Sequence, residues 1–307
     1  MRERVADRNM SLCERVCVTG ATGFIALHLV NELLASGYQV VGTVRPGTGG
    51  AKLDALRRLQ AKYEHGRLEI VHAHLLDSAS YDDAVRGCQG VFHTASPFQV
   101  ENVTDVEREL IQPAVQGTEA VLQACERAGS GTLRRVVLTS SFAAIVQPHS
   151  RPAVAGPYTE RDWNTDSSPA GGPLEAYRVS KTRAELAAWA FIRGGRPLDV
   201  AATPDPSPAT AGPWTTSWDL VTINPPLVFG VGLAKLPLAQ LNTSSRILHQ
   251  RVQDALSSAS TSANSEKPGP SKDGEFGWVD VTDVARAHVA VYETPSAYGR
   301  YLCSAGT

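Results

Sequence analysis

The sequence predicts an α/β protein built on an open, doubly wound parallel sheet. Three observations predict it. Short apolar strand candidates alternate with helix candidates from Arg15 onward. The first strand candidate runs directly into a glycine-rich turn and an apolar-periodic helix. Strand candidates further on end in small or hydroxyl residues, at the edge where ligands of such sheets bind.

"RVCVTG" (Arg15 to Gly20) is a β-branched run that stops at glycine and reads as a buried strand. In "ATGFIALHLVNELLASG" the residues Phe24, Ile25, Leu27, Leu29, Val30, Leu33 and Leu34 recur with helical spacing, and Gly37 closes the helix. "YQVVGTVR" is the second strand. Between the first strand and the helix, Gly20, Gly23 and Ala26 spell Gly-x-x-Gly-x-x-Ala, a departure from the usual Gly-x-Gly-x-x-Gly. Glycines there permit a tight turn and a close backbone approach, and the helix start offers free N–H groups and partial positive charge to a pyrophosphate. A dinucleotide site is the expectation. The second strand ends in Arg45, with no acidic residue between Gly37 and Lys52. An acid at this place meets the ribose 2′-hydroxyl of NAD, whereas an arginine accommodates a 2′-phosphate. Arg45, with Lys52 as the next basic residue, therefore predicts NADP.

"RLEIVHAHLL" is a third strand candidate, "SASYDDAVRGC" a helix and "GVFHTASPF" a strand. "VERELIQPAVQGTEAVLQACERAG" is a long helix in which Pro113 is expected to make a kink. "LRRVVLTSSFAAIV" is a strand ending in hydroxyls. Gly20, Arg45, Ser96 and Ser141 then share the carboxyl edge of the sheet. His93, close to a strand end, reads as a satisfied core or rim histidine rather than a catalytic one.

"EAYRVSKTRAE" reads as helix and sets Tyr177 and Lys181 on one face, about 5–6 Å apart at Cβ. With eight tyrosines in the chain, the spacing alone means little. At the edge of a dinucleotide-binding sheet it gains a chemical sense. A tyrosine ordinarily ionises near pH 10, and a neighbouring ammonium is expected to lower that value. Tyr177 then serves as general acid toward a carbonyl oxygen gaining negative charge. Lys181 can also hold the cofactor ribose, and Ser141 can hydrogen-bond the same oxygen.

The chain has 307 residues, 42% of them hydrophobic and 20% charged, with a formal net charge of −2. Nothing in that balance points to a nucleic-acid or anionic-membrane surface. No apolar run approaches the ~20 residues of a membrane span, and the charged N-terminus lacks the apolar core of a secretory signal. Five cysteines, with no Cys-x-x-Cys pair, read as free thiols in a reducing compartment. No metal site is expected, and a cytoplasmic location is.

The pieces "VTGATGFIA", "VVGTVR", "GVFHTASP", "QPAVQGTEAVLQAC", "RRVVLTSS", "YRVSKTRAE", "LVTINPPLVFG", "LNTSS" and "VDVTDVARAHV" follow one another in this order and span most of residues 13 to 305. With them the chain resembles the extended short-chain dehydrogenases/reductases of the NAD-dependent epimerase/dehydratase superfamily. The resemblance is closest to the dihydroflavonol reductase, cinnamoyl-CoA reductase and aldehyde/ketone reductase group. It implies a Rossmann sheet and NADPH-dependent reduction of an aldehyde or ketone. It also implies Ser141, Tyr177 and Lys181 as the catalytic triad, with Tyr177 and Lys181 touching the cofactor too. Gly20, Gly23, Phe24 and Ile25 would contact the pyrophosphate, and Arg45 and Lys52 the 2′-phosphate. Thr94, Ala95 and Ser96 would line one side of the nicotinamide and Pro225 the other.

Some positions depart from the family. "AHLLD" puts His74 where an Asp is common near the adenine, leaving Asp77. "GPLEAY" lacks the Asn-Trp-Tyr-Cys-Tyr signature of plant cinnamoyl-CoA reductases, and Val146 stands where dihydroflavonol reductases place an Asn. A smaller or more apolar carbonyl is therefore favoured. Two other readings stay open: a sugar-nucleotide epimerase or dehydratase, which shares the Tyr–Lys pair, and a non-catalytic NADP-binding relative.

The expected organisation is a cofactor domain over residues 12–230, which the chain re-enters at 276–292. It carries a Pro/Ala/Ser/Thr-rich insertion, 201–218, expected to be a disordered loop. Residues 231–275 and 293–307 would form a smaller substrate lobe with a flexible loop at 257–275. Family members usually continue past "GRYLCSAGT", so the resemblance implies an incomplete lobe. The sequence leaves monomer or homodimer open.

Overall fold

Val16, Cys17 and Val18 are all fully buried, which is what a run of apolar residues with no polar face requires of a central strand. Val16 and Val18 belong to one core and Cys17 to the other. The structure is a computed structural model and describes residues 13–64, 66–97, 103–129, 131–150, 156–202, 205–206, 212–261 and 277–305.

The chain forms β1 (Arg15–Thr19), α1 (Phe24–Ala35), β2 (Gln39–Val44), α2 (Gly50–Lys62) and β3 (Leu68–His72). A 3-10 turn, Ser78–Tyr81, leads into the short α3 (Asp82–Val85), and β4 (Gly90–His93) follows. A π turn, Glu107–Ile111, opens into α4 (Gln112–Ala128), then come β5 (Arg135–Thr139), α5 (Pro173–Ile192), β6 (Asp219–Asn224) and β7 (Leu227–Phe229). The described chain ends with α6 (Thr243–Thr261), β8 (Trp278–Asp280), α7 (Val281–Glu293) and β9 (Gly299–Leu302).

Among the described residues, seven strands make one parallel sheet in the order β3-β2-β1-β4-β5-β6-β9. β7 and β8 form a separate parallel pair. Leu33 of α1, Leu56 of α2 and Val289 of α7 pack on one face of the sheet; Val85 of α3, Leu122 of α4 and Trp189 of α5 pack on the other. The strand order reverses between β1 and β4, so the carboxyl ends of those strands flank the crevice where ligands of such sheets bind. The expected α/β, doubly wound parallel architecture is the one observed.

Local signals act where they were expected. Gly37, at φ 93°, ends α1: the N–H of Gly37 bonds the Leu34 carbonyl at 3.1 Å and that of Tyr38 the Leu33 carbonyl at 3.0 Å. Pro113 lies in the first turn of α4, where a missing N–H costs little. The π turn Glu107–Ile111 stands immediately before it. α2 was not read from the sequence, where five charged residues are interleaved with its apolar ones; Ala55, Leu56 and Leu59 are its buried face. "SASYDDAVRGC" yields only the 3-10 turn and four α-helical residues.

Two expectations about organisation are corrected. β9, expected in the substrate lobe, pairs with β6 as the seventh strand of the main sheet, because its Arg300 is buried there by an acidic partner. Residues 212–218, expected to belong to a disordered loop, pack on the domain. Trp218 is 2% exposed, stacks on Phe191 with ring centroids 6.3 Å apart, and donates its indole N–H to Glu126 at 3.1 Å. Two tryptophans in a composition of Pro, Ala, Ser and Thr were the overlooked signal. Residues 203–204 and 207–211 lie outside the described residues. α6 runs into the segment expected to be flexible, and residues 262–276 lie outside the described residues. No helix among the described residues is long and apolar enough to cross a membrane.

The packing of Trp218 predicts that Trp218→Ala destabilises the fold by about 3–5 kcal/mol, read as a lower midpoint in urea. An unchanged midpoint would show that residues 212–218 do not pack.

Candidate active site at the carboxyl edge of the sheet

β1 ends at Thr19, and Gly20 turns the chain with φ 65°, a conformation glycine adopts without strain. A Cβ at Gly20 would lie 3.1 Å from Ala95, so the turn and the β4 loop touch at bare backbone. Gly23 is the cap residue of α1, and neither a side-chain cap nor an acidic residue occupies the first turn. The N–H groups that open α1 are thus left for a ligand. Thr19 ties the two loops together: its hydroxyl accepts from the Thr94 N–H at 3.2 Å and the Ala95 N–H at 3.1 Å.

His93 is 1% exposed, and its Nδ1 lies 2.8 Å from the Thr19 hydroxyl. Burial first, and Lys181 second, push its pKa down to about 3. It is a neutral, partnered core histidine, as the sequence indicated.

Ser141 follows β5 and caps the 3-10 turn Phe142–Ala144, its Oγ accepting the Ala143 N–H at 3.1 Å. α5 starts where Gly172, at φ 103°, releases the chain and Pro173 takes the first helical position. Tyr177, Lys181 and Glu185 then follow at four-residue intervals along one side of α5. The Ser141 hydroxyl hydrogen-bonds Tyr177, so the two predicted groups already meet. The Lys181 ammonium lies 3.5 Å from the Thr139 carbonyl.

The electrostatics correct one expectation. Burial raises the Tyr177 pKa above its ordinary value, and the Ser141 hydrogen bond, not Lys181, opposes that rise. Lys181 itself is brought down to about 8 by burial, with the Glu185 carboxylate pulling the other way.

One cavity brings together Gly23, Phe24, Ile25, Thr94, Ser96, Ser141, Tyr177, Lys181 and Pro225. Ala95 lies just behind it, against Gly20. Arg45 and Lys52 are exposed at the β2 end of the same edge, outside the cavity. Asp77 is also outside it, and its carboxylate accepts the Ala79 N–H at 3.1 Å, capping its own 3-10 turn. The cavity wall includes residues to which sequence reasoning gave no role: Thr139, Ser140, and Asn242 to Ser244 at the start of α6. "LNTSS" was visible as a motif, but no spacing rule says which hydroxyl of such a run faces a ligand. Thr243 Oγ1 is buried there with no hydrogen-bond partner among the described residues. No group of three or more His, Cys, Asp or Glu among the described residues could hold a metal.

With this geometry in place, comparison with known proteins gives a consistent result. The family model described as "NAD dependent epimerase/dehydratase family" matches residues 16–302. The chain is 40% identical over 288 residues to "Cinnamoyl-CoA reductase CAD2" of Medicago truncatula, covering 93% of this chain and 74% of that protein. It is 36% identical over 301 residues to "Putative NADPH-dependent methylglyoxal reductase GRP2" of Candida albicans, covering 95% of this chain and 78% of that protein. The crystal structure of Gre2 from Candida albicans in complex with NADPH superimposes with a TM-score of 0.73 at 35% identity, covering 95% of this chain and 78% of that one.

The partial burial of Tyr177 makes its titration a direct check. In an ultraviolet difference titration of the parent against Tyr177→Phe, the missing phenol should be one that ionises above pH 10.0. A phenol ionising near neutrality would restore activation by Lys181.

Proposed function

The chain belongs to the NAD dependent epimerase/dehydratase family, and we propose that it is a carbonyl reductase that uses NADPH to convert an aldehyde or ketone to an alcohol. The observation that carries this reading is the meeting of Ser141, Tyr177 and Lys181 with the opening turn of α1 in one cavity.

The residues present fit the cofactor. Gly20 provides a cradle that a side chain would fill against Ala95. The uncapped start of α1, without acid in its first turn, suits a pyrophosphate. Gly23, Phe24 and Ile25 would hold that group; Thr94, Ala95, Ser96 and Pro225 would flank the nicotinamide. Arg45 and Lys52, exposed where an NAD site carries an acid, would take the 2′-phosphate. Asp77, on the same edge, would lie toward the adenine. When bound, NADPH supplies the hydride that the carbonyl carbon accepts.

The chain's own residues do the rest. The Tyr177 phenol gives its proton to the carbonyl oxygen as the C=O π bond opens, so that an O–H bond and a C–H bond replace it. Ser141, already bonded to Tyr177, turns its hydroxyl to the same oxygen and shares its developing charge. Lys181 holds the cofactor ribose, and its ammonium balances the phenolate that Tyr177 becomes. A raised phenol pKa keeps the proton on Tyr177 until the oxygen needs it. The favoured substrate is a small or apolar carbonyl compound, in keeping with Val146 and with the missing signature before Tyr177.

Tyr177→Phe should lower NADPH-dependent turnover by about 100-fold or more, with NADPH affinity, measured by fluorescence titration, nearly unchanged. Turnover retained in that variant would remove Tyr177 from the role of general acid.

A further inference from the structure

Glu185 and Arg300 are both 0% exposed at their side chains and pair at 2.7 Å. Neither was singled out in the sequence. Glu185 stands one helical turn beyond Lys181 on α5, and Arg300 lies on β9, the strand at the far end of the chain.

Every N–H of the Arg300 guanidinium has an acceptor. Nε donates to Glu185 Oε1, and Nη2 to Glu185 Oε2 and the Ala144 carbonyl. Nη1 donates to the carbonyls of Glu160 and Asp162. The guanidinium also lies over the Trp163 ring, 3.6 Å from its centroid. The Glu185 carboxylate is equally engaged. Oε2 accepts from the Ser140 hydroxyl at 2.6 Å and the Asn224 amide at 2.9 Å. Oε1 accepts from the Thr222 hydroxyl at 3.1 Å and the Trp189 indole at 3.3 Å. The Asn224 amide also donates to the Ser141 carbonyl at 3.2 Å.

The contacts converge on the proposed catalytic groups. Ser140 precedes Ser141, Asn224 precedes Pro225, and Glu185 shares a helix side with Tyr177 and Lys181. We propose that Glu185 and Arg300 form a positioning pair that fixes Ser141, Tyr177 and Lys181 relative to one another, with the Glu185 carboxylate one helical turn from the lysine. This rests on the reductase reading given above. A pair that only filled the core would need neither the link through Asn224 to Ser141 nor the bond to Ser140. The charge also has a clear direction. Lys181 is faced by Tyr177 and Glu185 from its own helix, by the neutral His93 of β4, and by the Thr139 carbonyl and neighbouring serine hydroxyls after β5. Glu185 is the one group among these that favours the ammonium as an anion.

The test is the double variant E185Q/R300M in the full chain. It removes both charges, so neither is left buried alone. Two readings are taken on it once a cooperative unfolding transition shows that it folds. First, NADPH-dependent kcat should fall about tenfold or more, as misplaced groups lose their geometry, and the high-pH limb of its pH profile should move to lower pH. Second, a titration by 13C-lysine NMR, with Lys181 assigned by its disappearance in Lys181→Met, should show Lys181 ionising below the parent's value. A folded double variant with the parent's kcat and the parent's Lys181 titration would overturn the proposal. If the double variant does not fold, Asn224→Ala decides: a lower kcat at unchanged NADPH affinity supports positioning, and the parent's kcat overturns it. The lysine titration needs no turnover, so failure of the reductase reading, seen as no oxidation of NADPH by the parent, is distinguishable from failure of this one.

Discussion

The buried ion pair of Glu185 and Arg300 joins parts of the chain that sequence order keeps far apart: the helix carrying Tyr177 and Lys181, the strand ends carrying Ser141 and Pro225, the backbone at Ala144 and at Glu160 to Trp163, and β9. Taking two charges out of water costs several kcal/mol per ion, and such a pair persists only where hydrogen bonds replace the lost hydration. Here all five guanidinium donors and both carboxylate oxygens are occupied. The consequence is geometric. A charge with several fixed partners leaves little room for one of them to shift alone, so the segments it binds move together or not at all.

That constraint acts on a surface the parallel sheet has already prepared. Parallel strands with helices on both faces bring every carboxyl end to one edge, and the reversal of strand order between β1 and β4 opens a crevice there. The Gly20 turn, the Thr94–Ala95 loop and Ser141 all leave the sheet at that edge. Thr19 stitches the first two together through its hydroxyl, and buried His93 completes that stitch as a neutral group. In the proposed reading, cofactor binding falls to the turns after β1, β2 and β4, and proton transfer to the turn after β5 and to α5.

Much of this was legible beforehand, because it depends on local rules. The β1–α1 turn is written in Gly20, Gly23 and the apolar period of α1; the strand-end hydroxyls are written in "TSS"; the spacing of Tyr177 and Lys181 becomes readable once it stands beside a dinucleotide-binding sheet. What escaped depends on distant contacts. Nothing near Arg300 in the sequence says that β9 returns to the main sheet, because the partner that buries its guanidinium lies 115 positions earlier. Trp214 and Trp218 were hidden in a stretch whose bulk composition reads as loop, although a single large indole can anchor several residues of poor formers. The Tyr177 pKa was misjudged for a similar reason. Spacing puts an ammonium nearby, but only the fold reveals that the phenol is half-buried and that Ser141 is its immediate partner.

The most direct test of the account is NADPH oxidation by the purified chain, followed by absorbance, with a panel of small aldehydes and ketones and with NADH in parallel. The account predicts that NADPH is consumed only when a carbonyl compound is present, and faster than NADH. NADPH that binds yet is not oxidised with any member of the panel, or a preference for NADH, would contradict it.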